Sequence, residues 1–376
     1  MNKPVHSNRK FCYDIAKYRN KGYLGLSNLG NTCFLNTCMQ VLNHVYELNE
    51  VFLVKQMHTT VTHPETSPHR LSQQLVAEWV ELQQLLWSEQ SSNSQSAVSP
   101  NKFVHFVHRL AHLKNKDLFT GWAQNDMPEF LLFIMECFHD SIARGVKMQI
   151  NGKRENDTDK MAVMCYEMLQ KTYRKEYSEV MELFYGIYVS EIRSLGAGLP
   201  VHSQTAESFF MIDLPIPTTT SSSTPVDIYQ CFDLYVQKER LEGDNAWFNE
   251  STNQKESVTK QIRFWNFPPI LVISLKRFSA VSSRKRQDQV NFPLTNLDLS
   301  TYVCGYDPKK YVYDLFGVCN HMGGVAGGHY TAYVKNANQE WMHYNDMQVS
   351  KVENVEDIVR PSAYCLFYRM RTKEEA

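Results

Sequence analysis

The chain has 376 residues, 43% hydrophobic and 21% charged, with a formal net charge of -1. That is enough apolar material for a large core in roughly two or three structural units. A near-neutral charge argues against bulk nucleic-acid binding. The nine cysteines are odd in number and form no C-x-x-C pair, so neither a disulfide framework nor a four-cysteine zinc site is signalled. The polar, basic first 20 residues lack the apolar core of a signal peptide, and the longest apolar run, 268–275, is too short to span a bilayer. No membrane partner is expected, and the compartment is expected to be reducing: cytoplasm, nucleus or both.

In chain order, residues 1–21 read as a lead-in and 371–376 as a tail. Residues 33 to about 180 read helical. A first helix starts near Cys33, and an amphipathic one carries Leu71, Leu75, Val76, Trp79 and Leu82 as its stripe. The Ser/Gln-rich stretch 88–99 reads as a flexible loop. Helices are expected around Phe103–Leu110, over 126–142 and over 161–177, with a charged loop at 151–160. From about residue 183 the period becomes two, with Phe184, Tyr185, Ile187 and Val189 read as strand. Further strands are expected at 209–214, 269–278, 311–318, 330–336, 340–345 and 363–370. The runs 218–224 and 282–289, the latter with Arg284-Lys285-Arg286, read as solvated loops, and 240–258 as a projecting turn. A helical half followed by an antiparallel β half is an α+β architecture.

Two stretches carry chemistry. In Gly25-Leu26-Ser27-Asn28-Leu29-Gly30-Asn31-Thr32-Cys33 a polar turn runs into the first helix, with Asn31 or Thr32 as N-cap. Cys33 then falls in the first turn, where free N–H groups and the helix dipole favour a thiolate nucleophile. Asn28 could turn its amide back toward the same spot as an oxyanion donor. The alternative for Cys33 is a buried small hydrophobe. In the second stretch, Gly327-Gly328-His329-Tyr330 opens a strand, and the next strand is Trp341-Met342-His343-Tyr344-Asn345-Asp346. Hairpin pairing places His329 across from Asn345 and Asp346. Thiol, imidazole and polar orienter in that order match the logic of papain-type enzymes.

These two stretches resemble the signature boxes of the ubiquitin-specific proteases. Gln124-Asn125-Asp126-Met127-Pro128-Glu129-Phe130-Leu131, the segment ending Leu214-Pro215-Ile216-Pro217, 268–278, Val290-Asn291-Phe292-Pro293 and 362–368 resemble further family boxes in the expected order. The resemblance covers 22–370. It implies a papain-like core with a helical thumb (about 25–180), β fingers (about 183–265) and an antiparallel β palm (about 266–370).

By this resemblance Cys33 would be the nucleophile on the carbonyl of ubiquitin's last glycine, His329 the base, Asn28 the oxyanion donor and Asn345 the orienter. Asp346, on the opposite strand face by parity, is placed second. Asp126 would pair with a basic residue near ubiquitin's C-terminus, the plain alternative being a helix N-cap. Tyr330, His321 and Gly328 would line the tail groove. The family's zinc-binding cysteine pairs are absent from 190–196 and 237–245, so no metal and no cofactor are expected, with mobile finger tips at 196–205 and 238–257. The expected partners are ubiquitin and ubiquitinated proteins, the chain acting as a monomer. The competing readings are a protease for another ubiquitin-like modifier and an inactive ubiquitin-binding module.

Overall fold

The computed structural model describes residues 12–64, 67–88, 97–195, 201–218, 225–278, 284–324 and 327–371. The expected loop tip at 89–96, most of 218–224 and the stretches 196–200 and 279–283 lie outside the described residues.

The helical half contains α1 (Cys33–Asn43), α2 (Tyr46–Asn49), α3 (Met57–Thr60), α4 (Pro68–Leu86), α5 (Asn101–Leu113), α6 (Met127–Ile142), α7 (Asp157–Tyr173) and α8 (Glu179–Phe184). Local chemistry sets their starts. Ser67 accepts from His69 N–H ahead of Pro68, Asp126 accepts from Glu129 N–H ahead of Pro128, and Ser178 accepts from Met181 N–H. Asn156 accepts from Asp159 N–H, so α7 begins inside the stretch expected as a charged loop. Phe184 is the last residue of α8 rather than a strand residue: the Ser178 cap extends helix up to the point where period two takes over.

The β half follows as β1 (Gly186–Ser194), β2 (Val201–Phe209), β3 (Met211–Leu214), β4 (Val226–Asp227), α9 (Ile228–Val236), β5 (Glu239–Leu241), β6 (Trp247–Asn249), β7 (Gln254–Glu256), β8 (Val258–Asn266), β9 (Ile270–Leu275), β10 (Val290–Asn291), β11 (Leu297–Asp298), β12 (Val312–Gly324), β13 (Gly327–Lys335), β14 (Trp341–Asn345), β15 (Gln348–Lys351) and β16 (Ala363–Met370). The large sheet runs β15-β14-β13-β12-β16-β9-β3, with β11 added on β12. Its β3–β9 pair is parallel and its other pairs are antiparallel. A second sheet runs β2-β1-β8-β5.

All of α1 is buried, against α6 on one side and β12 and β13 on the other. A helix in that position needs its polar groups satisfied internally. Gln40 Nε2 donates to Leu24 O at 2.9 Å, and Asn36 Nδ2 donates to Asp346 Oδ1 at 2.8 Å. The core beneath the large sheet contains the fully buried Arg277, whose guanidinium donates to Ala363 O at 2.7 Å and Asp288 O at 2.9 Å.

Two loop expectations are corrected. Lys285 donates to His321 O, and Arg286 donates to Pro217 O (2.9 Å) and Asp288 Oδ2 (2.8 Å), so this basic cluster is tied down apart from the exposed Arg284. The stretch expected as a projecting turn carries regular structure, since 238–257 holds β5 and the β6–β7 hairpin, and 201–209 beside it is a paired strand. Polar contacts bind them. Glu191, 3% exposed, accepts from Arg193 and, at 2.6 Å, from Gln204. Asn249 donates to Glu256 at 2.8 Å, and His202 lies on Trp247 with ring centroids 5.4 Å apart. The four strands of this sheet contain no cysteine. Among the described residues no group of three or more His, Cys, Asp or Glu side chains is placed to hold a metal, and no helix is long and apolar enough to cross a membrane.

Candidate active site

The turn before α1 is built by left-handed backbone at Gly30 (φ 108°) and Asn31 (φ 58°). Asn28 locks it. Its Oδ1 accepts from Gly30 N–H at 3.0 Å and Thr32 N–H at 3.1 Å. Thr32 takes the N-cap position without a side-chain cap, because its hydroxyl accepts from Leu29 N–H at 2.9 Å instead. Cys33 therefore opens α1, as the sequence suggested, and is 3% exposed.

Burial holds the Cys33 thiol above the ordinary cysteine value. Hydrogen bonding from the backbone of Tyr330, Phe34 and Cys33 itself works in the opposite direction, and the Asp346 carboxylate adds to the rise. The expectation that the helix start would lower this pKa is corrected: in the free site desolvation outweighs the helix N–H groups.

His329 lies on β13 beside Cys33's neighbour Tyr330. Its Nε2 is 2.7 Å from Asn345 Oδ1 at the end of β14. The carbonyl oxygen of Asn345 can only accept, so Nε2 is the donor in this contact, which leaves Nδ1 as the ring nitrogen not engaged by Asn345. Among the described hydrogen bonds none joins this ring to the thiol.

Asp346 departs from the parity expectation. Strand β14 ends at Asn345, and Asp346 (φ 48°) begins the tight turn into β15, where side-chain alternation no longer applies. Its carboxylate accepts from Asn28 Nδ2 at 2.9 Å and from Asn36 Nδ2 at 2.8 Å, and its carbonyl accepts from Leu26 N–H at 2.9 Å. Gly25 permits this closeness, since a Cβ there would fall 2.5 Å from Asp346 O. The exposed Asn28 thus spends one amide hydrogen on Asp346, and the other has no partner among the described residues.

The expected groove residues form one cluster. Asp126 caps α6 through Oδ1 (3.3 Å from Glu129 N) and accepts from the Tyr364 hydroxyl at 2.8 Å. It is half-buried, and that burial raises its carboxyl above the usual range. Met127 N–H donates to the Tyr330 hydroxyl at 3.4 Å. The His321 and Tyr330 rings lie 4.6 Å apart, and burial with the Lys285 charge pushes the His321 imidazole down to about 4. His321 is therefore a neutral wall at pH 7. Gly328 closes over it, where a Cβ would sit 2.4 Å from His321 Nε2. Sequence reasoning missed the role of Gln124, Asn36 and Lys285. Gln124 lay inside a quoted motif, but no spacing rule links it to Gly328, 204 positions away.

The description "Ubiquitin carboxyl-terminal hydrolase" belongs to a family model that matches residues 24–368. The chain is 32% identical over 353 residues to ubiquitin carboxyl-terminal hydrolase Usp2 of Drosophila melanogaster, covering 93% of this chain and 35% of that protein. It is 30% identical over 384 residues to human ubiquitin carboxyl-terminal hydrolase 21, covering 98% and 65% respectively. The chain thus spans about a third to just under two thirds of the length of these curated relatives. Among solved structures, the SAGA DUB module of Ubp8, Sgf11, Sus1 and Sgf73 bound to monoubiquitin matches with a TM-score of 0.66 at 25% identity, covering 94% of this chain and 70% of that one. With the family model spanning nearly the whole chain and two kinds of relative agreeing with it, this chain belongs to the ubiquitin carboxyl-terminal hydrolase family.

Proposed function

We propose that this chain is a deubiquitinating thiol isopeptidase that cleaves after ubiquitin's C-terminal glycine through Cys33, His329 and Asn345. The carrying observation is the 2.7 Å His329–Asn345 contact on strands that pack beside the N-terminus of α1. In this reading His329 Nδ1 takes the Cys33 proton, and the sulfur attacks the glycine carbonyl carbon. The burial that keeps the thiol protonated in the free site means that the base, rather than an isolated thiolate, governs attack. The spare Asn28 amide hydrogen and backbone N–H groups at the α1 start meet the tetrahedral oxyanion. The His329 imidazolium then protonates the departing lysine amine. Water, deprotonated by His329, cleaves the thioester. Asn345 holds the ring through one carbonyl oxygen and stabilises the imidazolium less than a carboxylate would.

Asp126, Tyr330, His321 and Gly328 are read as the walls of the tail groove. The substrate is read as ubiquitin on a conjugated protein, the chain acting as a monomer in cytoplasm or nucleus, where the thiol stays reduced. Support for ubiquitin itself comes from the relatives' names and from the monoubiquitin in the matched Ubp8 structure.

The test is a set of propargylamide probes made from ubiquitin and from its relatives, applied to the wild type and to Cys33→Ala. A covalent adduct with the ubiquitin probe, absent in Cys33→Ala, is expected. Preference for another modifier would replace the substrate. Failure of every probe, with ubiquitin still bound, would leave a binding module.

A further inference from the structure

The first residues of β13 have one unpaired edge. β12 pairs with β13 from Gly317↔Val334 through Gly324↔Gly327, whereas β14 pairs on the other side only at Ala332↔Tyr344 and beyond. The N–H and C=O of one strand residue point to the same side, and residue i+2 repeats that direction. The free edge therefore presents Gly328 and Tyr330. The Tyr330 backbone N–H is directed at Cys33. The Gly328 rung is already filled by one side chain: Gly328 N–H donates to Gln124 Oε1 at 2.9 Å, and Gln124 Nε2 donates to Gly328 O at 2.9 Å.

A carboxamide offers the same donor and acceptor pair as a peptide unit. Gln124 thus copies the main chain of an extended peptide, one dipeptide step, about 7 Å, from the rung that faces the nucleophile. Its hold elsewhere is slight. It is exposed, and its other contact is a 3.4 Å hydrogen bond to Asn31 Oδ1. It sits two residues before Asp126 and takes no part in the α6 cap.

We propose that Gln124 occupies, in the free protein, the main-chain rung on Gly328 that the extended C-terminal tail of ubiquitin takes on binding, so that the tail enters by displacing it. This rests on the deubiquitinase reading. Gln124 is then a specificity-setting residue. A chain that can offer an unobstructed N–H and C=O at that step replaces two hydrogen bonds with two of its own, and one that cannot leaves Gly328 to Gln124. The glycines make the rung reachable. A Cβ on Gly327 would fall 2.7 Å from Gln124 Oε1, and one on Gly328 would fall 2.2 Å from Met322 O.

The experiment measures ubiquitin binding by calorimetry in the full chain carrying Cys33→Ala, with and without Gln124→Ala. Removing the competitor is expected to tighten binding about three- to tenfold. Gln124→Glu, which keeps the acceptor and loses the donor, is expected to fall between. Ubiquitin lacking its two terminal glycines should bind both proteins equally. Hydrogen exchange in the segment containing Gly328 should rise on Gln124→Ala without ubiquitin and fall again when ubiquitin binds. Equal or weaker ubiquitin binding in Gln124→Ala, with thermal stability unchanged, overturns the proposal and leaves the deubiquitinase reading standing. Absence of ubiquitin binding in both proteins overturns the two together.

Discussion

Asp346 holds two amides with one carboxylate, Asn28 from the turn before α1 and Asn36 from within it. A carboxylate is suited to this because both oxygens only accept. An asparagine at 346 would turn one of those oxygens into a donor and set it against an amide hydrogen. Asp346→Asn is therefore expected to release Asn28 or Asn36 while leaving the His329–Asn345 contact intact. If Asn28 meets the oxyanion, kcat on a ubiquitin fluorogenic amide should fall about 10- to 1000-fold with little change in KM, since loss of one such donor lies at the top of that range. A KM effect with kcat preserved would mean that Asp346 only shapes the groove. The carboxylate's place was half legible. Composition and period place the end of a hairpin strand at Asn345, but they carry alternation one residue too far, into Asp346, a left-handed turn residue.

At the scale of elements, α2 and β16 are joined by one ion pair. Arg369 on β16 donates from Nε to Glu47 Oε1 at 2.8 Å and from Nη2 to Glu47 Oε2 at 3.1 Å, and Nη2 also donates to His44 O at 3.0 Å. Its guanidinium lies 4.5 Å from the Phe316 ring centroid and 5.2 Å from that of Tyr46. Glu47 is 7% exposed, so removing its partner strands a buried carboxylate. Arg369→Met is expected to cost about 2–3 kcal/mol in urea unfolding, a figure reduced from the buried-pair range because Arg369 is only half-buried. Arg369→Lys should recover little, for it loses the two-pronged geometry and the ring stacking. A loss below about 0.5 kcal/mol in Arg369→Met would reduce the pair to an ordinary surface contact. Such cross-element contacts are the part of the fold that sequence does not display. Period and capping located α6 and β16 closely, because each is fixed by neighbours in the chain. The anchoring of Lys285 and Arg286 is not visible in the sequence, because their partners lie at 321, 216 and 217 and a basic triplet looks solvated in isolation. The stretches around Cys33 and His329 are legible for the opposite reason: each residue sits in a local turn or strand start with its own composition.

Across the whole molecule, stability should depend on pH through histidines that fold into dry sites. His44 is fully buried at the end of α1, with Nδ1 2.8 Å from Gln40 O and Nε2 3.3 Å from the Tyr344 hydroxyl. Burial, aided by the Arg369 charge, pushes its imidazole down from 6.5 to about 4. Between those values the unfolded chain binds a proton that the folded chain refuses, so unfolding gains ground as pH falls. The stabilisation is fully present above pH 6.5 and is lost as pH drops toward 4. His321, also pushed down to about 4, adds to the same trend in the groove. For His44 alone, going from pH 7.5 to 5.0 should cost about 2 kcal/mol, or about 3 °C in Tm for a chain of this length. His44→Gln keeps an amide donor for Gln40 O and does not titrate. It should lower Tm at pH 7.5 through imperfect packing, yet shrink the drop between pH 7.5 and 5.0 by about those 3 °C. The quantity to read is that difference from calorimetric scans at the two pH values, in which the packing loss cancels. An equal drop in His44→Gln and wild type would show that His44 does not carry the proton linkage, and the acid sensitivity would then have to come from His321 and the carboxylates.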